Sequence, residues 1–148
     1  MKKLKIGLIA AMMVLFAGIA NAGGVGYIDY AKVIDNYDLA KQATKEIDAK
    51  GLEMQQFLVD KEKEYKSLDT PLKKQTFEER VSQEFKTRES AYLALKEKKE
   101  QEVYTKIKDA AKAVMVEQKL DAIMVKEGVF IGGVDITDSV ISKLKLSK

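Results

Sequence analysis

Between Leu39 and Lys126 the chain carries one glycine, Gly51, and one proline, Pro71, while the other eight glycines lie outside that stretch. Nearly ninety residues of charged, helix-favouring sequence therefore contain a single sharp break. Proline cannot donate a backbone hydrogen bond, and it disfavours the helical conformation in the residue before it. Two long helices joined at Asp69-Thr70-Pro71 cannot close into a compact core of their own. They must reach away from one, which points to a function read from shape rather than from a pocket.

The first long helix is expected over roughly 38–68. Its apolar line is Ala40, Ala43, Ile47, Met54, Phe57, Leu58, Tyr65 and Leu68, close to three-and-four spacing. Lys61 and Lys50-Gly51 interrupt that seam, and Gly51 offers a point of bending. The second helix is expected to restart at Thr76, because Thr76-Phe77-Glu78-Glu79 fits a capping box, with 72–75 as a tip loop or fraying turn. It would run to about Leu120, on the order of 65 Å at 1.5 Å per residue, against about 45 Å for the first. Val81, Tyr92, Val103 and Val114 stand eleven residues apart, with Phe77 and Phe85 beside the first of them. That repeat is close to the winding of a straight helix, so supercoiling should be slight. Glu46–Lys50, Glu62–Lys66, Glu84–Arg88 and Glu102–Lys106 are acid-to-base pairs at i,i+4, each supporting an exposed helix by a few tenths of a kcal/mol.

Short β-like pieces flank this stretch. Val25 to Tyr30 reads as a strand, and Ala31 to Asn36 as one or two helical turns. Ala122 to Val125 and Val129 to Ile131, separated by Lys126-Glu127-Gly128, read together as a hairpin. Asp135 and Thr137 offer N-cap oxygens to a last helix ending near Lys145, with Val140, Ile141 and Leu144 as its buried stripe. A carboxylate pair such as Asp29 and Asp135 could suggest catalysis, but strand-end and helix-cap roles account for both.

The N-terminus reads as an address label. Lys2, Lys3 and Lys5 precede an uncharged, mostly apolar run from Ile6 to Ile19, and Ala20-Asn21-Ala22 offers small residues where a signal peptidase reads. The run is short for a membrane span, which needs about 20 apolar residues. Cleavage after Ala22 and export are expected. Setting aside those lysines, 23 bases remain against 23 acids, so net charge gives no support for nucleic-acid binding. There is no histidine and no cysteine. Ser-His and Cys-His catalysis, the commonest zinc ligand and disulfide staples are thereby removed. No phosphate-binding loop motif is present. The expectation is a non-enzyme with no catalytic, cofactor or metal residues.

The two β-bearing ends, residues 23–38 and 121–148, amount to 44 residues. A globule of about 40 residues rarely stands alone without disulfides, metal or self-association. Open strand edges point the same way, since closing several chains' strands into a barrel removes them. The expected fold class is therefore α+β, a small barrel-like body formed by oligomerisation, with one antiparallel two-helix arm (39–120, tip near 69–75) per subunit.

The order of segments resembles the Skp/OmpH family of periplasmic chaperones. The most specific matches are Val25–Tyr30 and Gly133–Leu144; the helical middle matches in character and length. The resemblance implies a homotrimer whose three arms enclose a cavity. It implies ATP-independent holding of unfolded outer-membrane β-barrel proteins in the periplasm, with transient contact with the membrane surface compatible. Known members are strongly basic, whereas this chain without its first segment is neutral, which weakens long-range recruitment of acidic clients. No basic cluster matches a lipopolysaccharide site. Candidate client contacts are Met54, Phe57, Leu58, Tyr65, Leu68, Phe77, Phe85 and Tyr92, each of which could instead seal the two helices of one arm together. Candidate body and trimer packing residues are Val25, Tyr27, Ile28, Ile123, Val125, Val129, Phe130 and Ile131, with Tyr30 beside them. A structural coiled-coil spacer of the cell envelope is the competing reading, but it would need an unbroken apolar seam.

Overall fold

The computed structural model describes residues 23–147; the expected signal segment lies outside them. The elements are β1 (Val25–Ile28), α1 (Tyr30–Asp35), α2 (Asp38–Lys66), α3 (Pro71–Glu117), β2 (Ala122–Val125), a single 3-10 turn (Lys126–Gly128), β3 (Val134–Asp135) and α4 (Thr137–Leu146). The chain is mostly helical with a small sheet, an α+β arrangement dominated by the α2–α3 hairpin.

The hairpin follows from local chemistry. Helix α2 ends at Lys66, and Ser67 turns its hydroxyl back onto the Glu64 carbonyl at 2.6 Å. Helix α3 starts earlier than the capping-box reading expects. Thr70 is its N-cap, with its hydroxyl accepting from the Lys73 amide at 3.4 Å, and Pro71 opens the helix. Proline at the first helical position loses nothing, since its missing N–H would be unpaired there and its φ is already helical. Thr76 instead donates to the Leu72 carbonyl at 3.1 Å, inside the helix. With 47 residues, α3 is about 70 Å long.

Gly51 lies within α2 and does not interrupt it. A methyl group added there would come 3.9 Å from Tyr92 Cε2, ordinary van der Waals contact. Gly51→Ala is therefore expected to stabilise the arm by up to about 1 kcal/mol through helix propensity alone. Urea denaturation checks this; a loss of stability would show that the glycine serves a bend.

The far end of α3 closes without glycine or proline. Lys119 takes a left-handed conformation (φ 53°), the Leu120 amide donates to the Met115 carbonyl at 2.9 Å, and the Lys119 amide donates to Val116 at 3.2 Å. This double bond pattern terminates a helix by pairing its orphan carbonyls. The Asp121 amide then donates to the Gly24 carbonyl at 3.0 Å and delivers the chain to the sheet.

The sheet corrects the hairpin expectation. Its order is β2-β1-β3, with β1 in the middle and both neighbours parallel to it. Val25 pairs with Ala122 and Ile28 with Val125 on one side; Gly26 pairs with Val134 and Tyr27 with Asp135 on the other. Val129–Ile131 form no strand. After β2 the chain coils through Lys126–Gly128, crosses to the other side of β1 and can no longer return antiparallel on β2. Gly132 and Gly133, at φ 84° and 87°, make that crossing possible. At Gly133 a Cβ would also sit 3.1 Å from the Val25 carbonyl oxygen.

The core sits where the sheet, α1, α4 and the roots of the long helices meet. Ile28, Val33, Ile107, Val114, Ile136, Val140, Ile141 and Leu144 are buried there, together with Ala40, Ala43, Ala110 and Ala111. The body thus draws on helix roots as well as on the two chain ends. The buried stripe Val140, Ile141 and Leu144 matches its sequence expectation. Asp135 accepts from the Thr137 amide at 2.9 Å, while the Thr137 hydroxyl accepts from the Asp29 amide at 2.9 Å and ties α4 to the end of β1.

Candidate functional site

Two surfaces carry apolar groups that the core does not use: the arm and the outer side of the body. In the arm, Phe57 (8 % exposed) on α2 and Phe77 (6 %) on α3 are buried at successive levels of the seam. Lys61, the residue that breaks the apolar pattern, fits between them. Its ammonium lies 5.7 Å from the Phe57 ring centre and 5.8 Å from that of Phe77, and it binds Glu64 at 2.9 Å. Glu64 also binds Arg80 at 3.2 Å, and the Arg80 guanidinium lies 5.3 Å from the Phe77 ring centre. Arg88 stacks 4.4 Å from the Phe57 centre, and Lys74 lies 5.2 Å from that of Tyr65. Tyr65 and Phe77 complete the ladder at 6.0 Å between centroids.

The distal seam is thus aromatic rings capped by cations, each contact contributing about 0.5–1 kcal/mol at such exposed sites. A lysine stem can cover apolar surface while its head stays wet, which explains why Lys61 is tolerated in the seam. Nearer the body the seam is closed differently. Lys99 bridges to Glu46 at 2.7 Å between the helices, and that hydrogen bond lowers the Glu46 pKa and raises that of Lys99. Of the expected i,i+4 pairs, Glu62–Lys66 is formed at 2.6 Å, while Glu46 and Arg88 are turned to cross-helix tasks instead.

Among the remaining arm candidates, Met54, Tyr65, Leu68, Phe85 and Tyr92 are half-buried along the seam edges, and Leu58 is exposed. Phe57 and Phe77 offer little surface in this conformation. Sequence reasoning missed several exposed apolar groups of the arm: Leu52 (64 %), Leu72 (73 %), Val59 and Leu93. Leu52 and Val59 are seven residues apart, two turns along the outer face of α2. The signal was present as apolar residues out of phase with the seam, a pattern that a search for packing periodicity discards.

On the body, only Ile28 among the packing candidates lies in the chain's own core. Tyr27, Ile123 and Val129 are half-buried, Val25 and Val125 are exposed, and Phe130 and Ile131 stand almost wholly in solvent. Between α3 and β2 runs an apolar groove of about 620 Å³ lined by Tyr104, Ile107, Ala111, Met115, Ile123 and Val125.

Charged groups brace the body. Asp29 caps α1 by accepting from the Lys32 amide at 3.0 Å and binds Lys126 at 2.8 Å; Lys32 binds Asp138 at 2.8 Å. The hydrogen bond from Lys126 holds the Asp29 pKa down, and the bonds from Thr137 hold Asp135 down. The same pairs raise Lys126 and Lys32. Groups with a lowered pKa stabilise the fold above their unfolded value, about 4 for aspartate, and lose that contribution as pH falls through the folded value. Groups with a raised pKa lose theirs as pH rises past about 10.5. The body is therefore expected to loosen first below pH ~4 and again above pH ~10.5. Thermal melts across pH check this; a flat profile between pH 3 and 5 would remove the carboxylates' role.

Residues 24–144 match the sequence profile of a family described as outer membrane protein (OmpH-like). The chain belongs to this family. An OmpH-like protein of Caulobacter crescentus CB15, described as a candidate outer membrane chaperone, has a similar crystal structure at 2.83 Å resolution. The two superpose with a TM-score of 0.53 at 14 % identity, covering 87 % of this chain and 88 % of the other. At that identity the likeness concerns the fold. No curated protein matches the chain.

Proposed function

We propose that this OmpH-like protein is an ATP-independent periplasmic holdase, exported by residues 1–22, that shields unfolded outer-membrane β-barrel proteins before membrane insertion. The observation that carries the reading is the arm, two long helices whose exposed apolar groups stand in small separate sets among charges. An unfolded barrel strand alternates apolar and polar residues and so presents many dispersed weak sites. Small apolar sets, with Leu52, Leu58, Val59, Leu72 and Leu93 exposed and Met54, Tyr65, Leu68, Phe85 and Tyr92 at the seam edges, suit such a guest. Weak contacts held within one space act at high effective concentration and sum to strong binding. A continuous apolar patch would endanger the protein's own solubility.

The second part of the reading is a trimer. The body, residues 23–38 and 121–148, leaves both sheet edges open, and Val25, Val125, Phe130 and Ile131 are uncovered. Three copies closing their strands into a small barrel would bury these groups and turn three arms (39–120) toward one cavity. Release then follows from competition with folding or with the next acceptor.

Light scattering tests the function. A urea-unfolded outer-membrane barrel protein diluted into equimolar trimer is expected to stay in solution without nucleotide. Aggregation at the rate seen in buffer alone would overturn the reading and favour a structural spacer.

A further inference from the structure

Among the described residues, two features of the body have no partner. One is the Val129–Gly133 loop, which lifts Phe130 and Ile131 into solvent, 101 % and 88 % exposed. The other is the groove between α3 and β2, apolar along its floor and open along its length. The loop begins one short turn after the strand that forms one wall of the groove, yet Phe130 does not fold back into it. The turn at Lys126–Gly128, closed by the Val129 amide on the Lys126 carbonyl at 3.1 Å, and the left-handed Gly132 and Gly133 direct it away.

From this we infer that the loop of one copy fills the groove of the next: Phe130 and Ile131 insert between Tyr104, Ala111 and Met115 on one wall and Ile123 and Val125 on the other. The inference rests on the proposed self-assembly and names the contact that drives it. Charge supports a second copy as the occupant. Lys108 and Lys112 line the groove, and Glu127 stands three residues before Phe130; none of the three is in an ion pair among the described residues. Docking the loop would bring that carboxylate to those ammonium groups. Area supports it as well. An aromatic side chain buries about 150–250 Å², and each copy would use a loop and a groove at once. That doubling moves a small body toward the ~800 Å² per partner of a standard interface. A loop-to-groove contact is heterologous, and such contacts close into rings when the rotation allows.

The absence of native cysteine permits a clean test. Phe130→Cys and Met115→Cys are made separately, co-refolded as a mixture and oxidised. The expected result is a covalent dimer in the mixture, none in either variant alone, and a covalent closed ring in the double variant. Phe130→Asp, at an exposed position that leaves each subunit's core intact, is expected to weaken self-association about thirtyfold or more with helix content unchanged. Disulfides formed by Phe130→Cys alone would overturn the inference, because they would place loop against loop. So would an oligomer, seen by mass measurement, whose mixed variants never cross-link; assembly itself would then stand. A wild-type monomer at micromolar concentration would remove both the inference and the assembly on which it rests.

Discussion

Val140→Asp is expected to abolish cooperative folding of the body. Val140 is fully buried in α4, in the cluster that includes Ile28, Val33, Ile107, Val114 and Ile136. No charged residue is buried there among the described residues, so a carboxylate would have no ionic partner. An unpaired charge at such a depth costs several kcal/mol even after the site relaxes or the group takes up a proton. A domain's whole stability is only about 5–15 kcal/mol. Circular dichroism on heating is expected to show a broad, low transition in place of a sharp one. Ser142→Asp, two residues away on the exposed side of the same helix, is the control and should change stability by no more than about 0.5 kcal/mol. If Val140→Asp melted within a few degrees of wild type, the packing of α4 described above would be wrong.

Removing Phe57 and Phe77 together is expected to open the distal arm while the body stays folded. Full truncation of a core phenylalanine costs about 3–5 kcal/mol where the surroundings cannot collapse. Here the seam is one residue wide and its rims are lysines and arginines, so the cost per ring should fall nearer 2 kcal/mol. Lys61, Arg80 and Arg88 would lose the rings they cover, and Glu64 alone cannot anchor both of its cations against water. Because stability is not uniform along a long hairpin, the loss should be local. Hydrogen exchange is expected to accelerate at least thirtyfold between residues 55 and 90, since each 1.4 kcal/mol is tenfold, and to stay unchanged at β1 and α4. Leu58→Ser, which changes an exposed group, should leave exchange unchanged while weakening client holding. If the double alanine variant captured clients less well but exchanged like wild type, Phe57 and Phe77 would be contact residues rather than the seal of the arm.

The features legible in the sequence are those whose cause is local. Pro71 and the capping residues around it mark the tip to within a few residues, and the start of α2 at Asp38 coincides with the expected one. The one local error there is instructive. Thr70 and Thr76 both offer a hydroxyl, but Pro71 settles the competition by prepaying the helical φ of its own position. Lys61 reads as a defect because a heptad template scores residue type, whereas the folded arm uses its four-carbon stem as apolar cover and its charge against two rings. Leu52, Leu72 and Leu93 escaped notice for the converse reason: a seam search explains apolar residues in phase and ignores those out of phase.

Helical hydrogen bonds join residues four apart, so composition and spacing along the chain were enough to establish two long helices, their break and their antiparallel return. Strand partners are chosen across the whole length of the chain. Ala122–Val125 and Val134–Asp135 carry no mark of which neighbour they will take, and only the folded body sets them on opposite sides of β1. The same holds for the exposure of Phe130 and Ile131. Their apolar character is written in the chain, but their lack of cover arises from a crossing loop that no local rule requires.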